Sequence, residues 1–303
     1  MSCASAIARA GSRPAPVLAG GRPSRPGDHG RAYYRMLESS RASNKAILCA
    51  LLALARAGSN KMELLEAGAR DWGMALAPEQ VETFELYYRE LVAWNQKVNL
   101  TAITDYEEVQ VKHFLDSLSC LQVLADFPAE MSCIDIGTGA GFPGLPLKIV
   151  RPEMRLTLLE ATGKKADFLQ HMVVLLGLAN VQVLKARAEE LGRRPEYREA
   201  FRVAVARAVG DLAVLVEYAL PLLELEGVFV AQKGREVDKE VEAAKPAVKI
   251  LGGRVQEVRA VRLPGADDER HLVVVQKVTP TPPQYPRRPG IPAKRPLTGD
   301  RAR

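Results

Sequence analysis

Between Met131 and Lys233 five short apolar runs alternate with segments of helical spacing, and this alternation leaves few folds open to the chain. The runs are "MSCIDI", "RLTLLE" (Arg155–Glu160), "VQVLKA" (Val181–Ala186), "FRVAVARA" (Phe201–Ala208) and "GVFVAQK" (Gly227–Lys233). Near-continuous apolar strands require cover on both faces, and the helical segments between them can supply it. The pattern therefore predicts an α/β fold, a doubly wound and mostly parallel sheet with helices on both sides. "GRVQEVRAV" and "HLVVVQKV", flanking "LPGADDER", predict an antiparallel pair at the edge. Upstream, "PEQVETFELYYRELVAWNQKVNL" places Val81, Phe84, Leu86, Tyr88, Leu91 and Trp94 near one helical face, with Pro78 in the first turn. A second helix is expected around "VQVKHFLDSLSCLQVL" (Val109–Leu124), so a helical subdomain precedes the sheet.

These patterns divide the chain into an N-terminal extension (1–61), a helical lead-in (62–130), an α/β core (131–278) and an extended basic Pro-rich tail (279–303). Residues 1–31 are rich in Ala, Arg, Ser, Pro and Gly, have little to bury, and are expected to be disordered. Their Arg-rich, acid-poor makeup also suits an organellar transit peptide, but Pro14, Pro16, Pro23 and Pro26 interrupt an amphipathic helix. A tail, or an upstream start with the working protein beginning near Met62, is the preferred reading. The apolar stretch Ala46–Ala55 has ten residues, against the roughly 20 that cross a membrane. A helix is expected there, not an anchor.

Charge is unevenly placed. The net charge is +6, yet residues 1–31 carry +4 and residues 284–303 carry +5, so the body between them is −3. Basic ends favour polyanions such as nucleic acid. Cys3, Cys49, Cys120 and Cys133 form no C-x-x-C pair and have no clustered histidine, which argues against a zinc site or a disulfide framework and suits a reducing, cytoplasmic compartment.

The chemistry centres on "CIDIGTGAGFPG", where four glycines fall within Gly137–Gly144 directly after the first strand. Gly137, Gly139 and Gly141 read as G-x-G-x-G, typical of S-adenosylmethionine sites, whereas Gly139, Gly141 and Gly144 read as the dinucleotide pattern G-x-G-x-x-G. Asp135, at the strand's end, suits a cationic ligand better than a pyrophosphate, unless it simply caps loop amides. Glu160, at the end of the second strand, can accept hydrogen bonds from ribose hydroxyls with either cofactor, or cap the following helix. In "KARAEEL", Ala188 and Glu189 are placed to flank an adenine, although first-turn acids also suit the helix dipole.

At the end of the fourth strand "ARAVGD" stands where amine-methylating enzymes commonly carry an Asn- or Asp-Pro-Pro-aromatic tetrad. Arg207 there can contact a cofactor carboxylate, a base or a phosphate, or can pair with Asp211 or Glu189. His171 is expected to pack within its helix, and His113 with Asp116 to form a local structural pair. There is no G-x-S-x-G, P-loop lysine or cysteine nucleophile with a base.

The runs "WNQKVNLTAI", "KHFLDSL", "CIDIGTGAGFPGLPLKI", "LLEATGKKADFL", "ARAEEL", "ARAV", "QKG" and "YPRRPGIPAKRPL" resemble, in order from about Met62 to Leu297, the ribosomal RNA small-subunit methyltransferase G family. The resemblance implies a class I methyltransferase, Rossmann-like fold. It also implies methyl transfer from S-adenosyl-L-methionine to N7 of a guanine in small-subunit rRNA, free or in the 30S particle. The family's cofactor residues fall on Gly137, Phe142, Ala188, Glu189 and Arg207, to which Asp135, Gly139 and Glu160 are added. Phosphate contacts are expected from Lys164, Lys165, Lys233, Arg235, Arg287 and Arg288. No catalytic acid or base, no metal and no membrane are expected, and the protein is expected to act as a monomer. Two alternatives are an NAD-dependent oxidoreductase using the same loop and a non-catalytic rRNA-binding factor.

Overall fold

The computed structural model describes residues 62–207, 210–264 and 269–297. The expectations for residues 1–61, for Ala208 and Val209, for 265–268 and for the last six residues lie outside these. Seven strands form one sheet: β1 (Ser132–Ile136), β2 (Arg155–Glu160), β3 (Val181–Lys185), β4 (Phe201–Arg207), β5 (Leu223–Lys233), β6 (Gly253–Val261) and β7 (Arg270–Lys277). Their order is β3-β2-β1-β4-β5-β7-β6. The first five run parallel, and β7 pairs antiparallel with both β5 and β6. The strand order reverses between β1 and β4, the point where an open α/β sheet leaves a crevice at its carboxyl end.

The apolar runs are buried from both sides, and successive residues serve different cores. Val203, Val205, Val228, Val230, Leu272 and Val274 face one core. Ala204, Ala206, Phe229, Ala231, Val273 and Val275 face the other. Each fully buried aliphatic side chain contributes about 1.5–3 kcal/mol, so covering both faces stabilises the sheet far more than strand propensity does. The helical lead-in supplies Phe84, Tyr87, Leu91, Phe114 and Leu118 to the first core.

Helix Pro78–Asn95 starts with Pro78 in the first turn, and Gln80 Oε1 accepts the Ala77 amide at 2.9 Å. It ends where Asn95 Oδ1 takes the amides of Leu100 and Thr101, at 2.8 and 3.1 Å. The second expected helix is a composite: Tyr106–Val109 is α-helical, Gln110–Leu115 is π-helical, and Asp116–Leu118 returns to α. Asp105 caps its start by accepting from the Glu107 and Glu108 amides.

The basic Pro-rich segment departs from a purely extended tail. A turn closes from the Tyr285 amide to the Pro282 carbonyl, and Ile291–Lys294 forms a short helix. Arg198 ties the segment down by donating to the carbonyls of Thr281 and Tyr285, at 2.7 and 2.8 Å. Proline removes donors without preventing the remaining carbonyls from being captured, and sequence spacing does not show the capturing arginine.

Candidate cofactor cleft

The glycine loop leaves β1 at its carboxyl end. Gly137 has φ 67°, and its amide bonds the Leu159 carbonyl at 2.8 Å, which turns the chain across the end of β2. Gly141 has φ 100°, and a Cβ there would meet Leu145 Cδ1 at 2.4 Å and the Tyr87 hydroxyl at 2.6 Å. Tyr87 holds the loop from the lead-in by donating to the Ala140 carbonyl at 2.6 Å.

A cleft open to solvent lies against this loop. Ile136, Gly137, Leu159, Ala161, Ala186, Arg187, Ala188, Glu189 and Tyr218 line it. Of the residues singled out from sequence, it brings together Gly137, Ala188 and Glu189. Tyr218 and Arg187 are additions. Nothing in "LVEYAL" marks Tyr218, because its helix is apolar nearly all round.

The other candidates stand outside that lining. Asp135 is fully buried, and its Oδ2 accepts from the Thr138 hydroxyl at 2.5 Å and the Gly144 amide at 2.8 Å. Burial pushes its pKa up to about 7, against the hydrogen bonds from Thr138 and Gly144, which lower it. Its Oδ1 has no hydrogen-bond partner among the described residues. The capping alternative thus accounts for one of its oxygens. Glu160 accepts the Gly139 amide at 3.0 Å and the Thr162 amide at 2.7 Å, so it braces the loop.

These carboxylates bear on the ligand. The lining itself carries one acid, Glu189, and one cation, Arg187; apolar walls from Ile136, Leu159 and Ala186 suit a planar base, and Glu189 suits hydroxyl or amino groups. The Gly144 amide that could greet a pyrophosphate at this loop is already taken by Asp135. That observation argues against the dinucleotide alternative.

Arg207, at the end of β4, neighbours β1 across the switch point. Its Nη1 donates to Asp116 Oδ2 at 3.0 Å and to the Lys112 carbonyl at 3.2 Å, and its Nη2 approaches His113 Nδ1 at 3.3 Å. Its guanidinium lies 4.7 Å from the Phe142 ring centroid, and the same ring stacks on His113 at 4.6 Å. The ion pair open to Arg207 as an alternative, with Asp211 or Glu189, is made with Asp116 instead. Nor does His113 pair with Asp116: its Nε2 meets the Thr101 hydroxyl at 2.8 Å. Burial and then Arg207 lower the His113 pKa to about 3, so the ring is neutral. π-helical turns are rare and recur at functional sites, and this one carries His113 to the loop.

The expected phosphate contacts divide. Lys164, Arg235 and Arg288 are exposed, and Lys165 is half-buried. Lys233 bonds the Gly210 carbonyl and Glu240, both at 2.5 Å, with its side chain 11% exposed. Arg287 grips the fully buried Glu217 through its backbone amide, Nε and Nη2, at 2.6–3.1 Å. Lys233 and Arg287 are therefore tied to internal partners, Glu240 with the Gly210 carbonyl and Glu217 respectively. His171 packs against the Trp94 ring at 5.2 Å, as expected, and also bonds Glu90 at 2.8 Å. Cys120 and Cys133 are buried free thiols. Among the described residues there is no group of three potential metal ligands, and no helix is long and apolar enough to cross a membrane.

The strand order, the glycine loop at the switch point and the cleft beside it define a class I methyltransferase, Rossmann-like fold. Residues 80–273 match the family model described as rRNA small subunit methyltransferase G. A relative named ribosomal RNA small subunit methyltransferase G from Roseiflexus sp. (strain RS-1) is 52% identical over 236 residues, covering 78% of this chain and 100% of the relative. A Roseiflexus castenholzii relative of the same name is 54% identical, covering 76% of this chain and 97% of its own. One from Pelotomaculum thermopropionicum is 49% identical, covering 78% and 98%. The chain belongs to the rRNA small subunit methyltransferase G family.

Proposed function

We propose that this protein transfers the methyl group of S-adenosylmethionine to N7 of a guanine in small-subunit (16S) rRNA. The observation that carries the reading is the cleft lined by Gly137, Ala188 and Glu189 at the glycine loop of a chain that belongs to this family. When bound, the cofactor supplies an electrophilic methyl on a sulfonium. Gly137, Phe142, Ala188, Glu189 and Arg207 are assigned to holding it, with Glu160 toward the ribose and Asp135 and Gly139 shaping the loop beneath.

Guanine N7 carries an in-plane lone pair, so the attack on methyl needs no prior deprotonation. The side chains near Arg207 accord with that. His113, at a pKa of about 3, is too weak a base to take a proton from an exocyclic amine. The residues therefore act by orienting the two reactants and excluding water, and positioning of this kind can supply about 7–11 kcal/mol of a barrier. Lys164, Lys165, Arg235 and Arg288 are assigned to rRNA phosphates.

The test is transfer of labelled methyl to 30S particles or to naked rRNA from cells lacking this modification. Incorporation is expected at a guanosine that borohydride reduction followed by aniline cleaves, as an N7-methylated ring requires. Cofactor binding without incorporation would overturn the enzyme reading in favour of a non-catalytic rRNA-binding factor.

A further inference from the structure

We propose that residues 285–294 form a strap that sets the adenosine wall of the cleft, with Glu189 as the positioning residue the strap holds. The proposal rests on the assignment of the cleft to S-adenosylmethionine.

Four consecutive strap residues reach both sides of the cleft. At one end Arg287 makes its bidentate contact with Glu217, on helix Leu212–Ala219. The next residue of that helix, Tyr218, lines the cleft. At the other end the Gly290 amide donates to Glu189 Oε1 at 2.8 Å, and Glu189 lines the same cleft. Tyr218 and Glu189 both line the cleft, so the strap is anchored beside two of its walls. Burial, with Glu189 and Glu217 nearby, pushes the Tyr218 pKa up to about 12, so the hydroxyl remains a donor.

The base of the strap is fixed independently. Arg193 Nη2 donates to the Gln284 carbonyl at 3.1 Å and Arg198 Nη1 to the Tyr285 carbonyl at 2.8 Å. Pro286 packs on Gly192, at the end of the helix that carries Glu189: a Cβ on Gly192 would lie 3.0 Å from Pro286 Cγ. A wall carboxylate held in one orientation before the ligand arrives spares the ordering cost of binding. Without the strap, Glu189 would lose the Gly290 amide that fixes its Oε1.

The test uses the full chain and S-adenosylhomocysteine, the stable product of the cofactor. Calorimetry on wild type, Arg287→Ala and Arg287→Lys should show the dissociation constant rising about tenfold in Arg287→Ala and less in Arg287→Lys, which keeps the charge but not the bidentate grip. KM for S-adenosylmethionine should rise with it, and kcat at saturation should fall by much less. In wild type, S-adenosylhomocysteine should slow hydrogen exchange at the amides of 285–294, a measurement that needs no variant to fold. Unchanged affinity in the folded variants, or strap amides indifferent to the ligand, overturns the strap while leaving the cleft assignment standing. Wild type that binds no S-adenosylhomocysteine overturns both.

Discussion

Two buried arginine–carboxylate pairs stand at the carboxyl end of the sheet, and they are built differently. Arg287 fills both oxygens of Glu217, and its own backbone amide adds another bond. Arg207 fills one oxygen of Asp116; the other, Oδ1, has no hydrogen bond among the described residues and sees only Arg270 Nε, at 3.7 Å. The first pair is complete and holds chain to chain. The second keeps unused bonding capacity beside the glycine loop, with Phe142 and His113 stacked beneath the guanidinium. A finished pair gives rigidity, and an unfinished one leaves a place for something else to complete it.

Truncation separates them most strongly. Arg287→Ala leaves a buried carboxylate without its cation and should cost about 3 kcal/mol of folding stability. Arg207→Ala should cost about 1–2 kcal/mol, because burial already raises the Asp116 pKa and lets that carboxyl take a proton. Urea unfolding of both variants checks the ranking, and the reverse order would dismantle the comparison.

Activity should reverse that order. Arg207→Lys replaces a forked, stacking cation with a point charge, and the displaced loop should lower kcat by about 100-fold with the fold intact. Single-turnover methyl transfer measures this; a kcat within a few-fold of wild type would mean that the unfinished pair is only structural.

The smallest effect is in pH. His113 is held near a pKa of 3, below its unfolded value, so its contribution is present above about pH 6.5 and is lost as pH falls towards 3. Asp135 is held near 7, above its unfolded value, so its contribution is present below about pH 4 and is lost as pH rises through 7. Between about pH 4.5 and 6.5 the two oppose each other. His113→Gln removes one, so its stability should fall with rising pH relative to wild type by about 1 kcal/mol per unit. Urea midpoints across that range decide it, and parallel profiles would show that burial does not hold His113 neutral.

Much of the frame was legible in the chain. β2 and β6 run over the residues expected, the β6–β7 pair is antiparallel as expected, and the glycine loop lies at the end of β1. Those features rest on local periodicity and on glycine's backbone freedom. Partners were much less legible. Lys233 and Arg287 look like free cations in a list of basic residues, and nothing near them in sequence shows Glu240 on the next helix or Glu217, 70 positions away. Glu189 was recognised for its place after β3, yet the amide that holds it comes from Gly290, 101 positions further on.

The sequence by itself determined the doubly wound sheet, the loop that begins the cleft and the family to which the chain belongs, because burial period and turn chemistry are written in neighbouring residues. Only the tertiary structure decided which charges are spent. It brought Asp116 rather than Asp211 to Arg207, made Tyr218 a wall, and turned a basic tail into a strap. An ion pair depends on where two side chains meet in space, and residues 70 to 100 positions apart carry no local signal of that meeting.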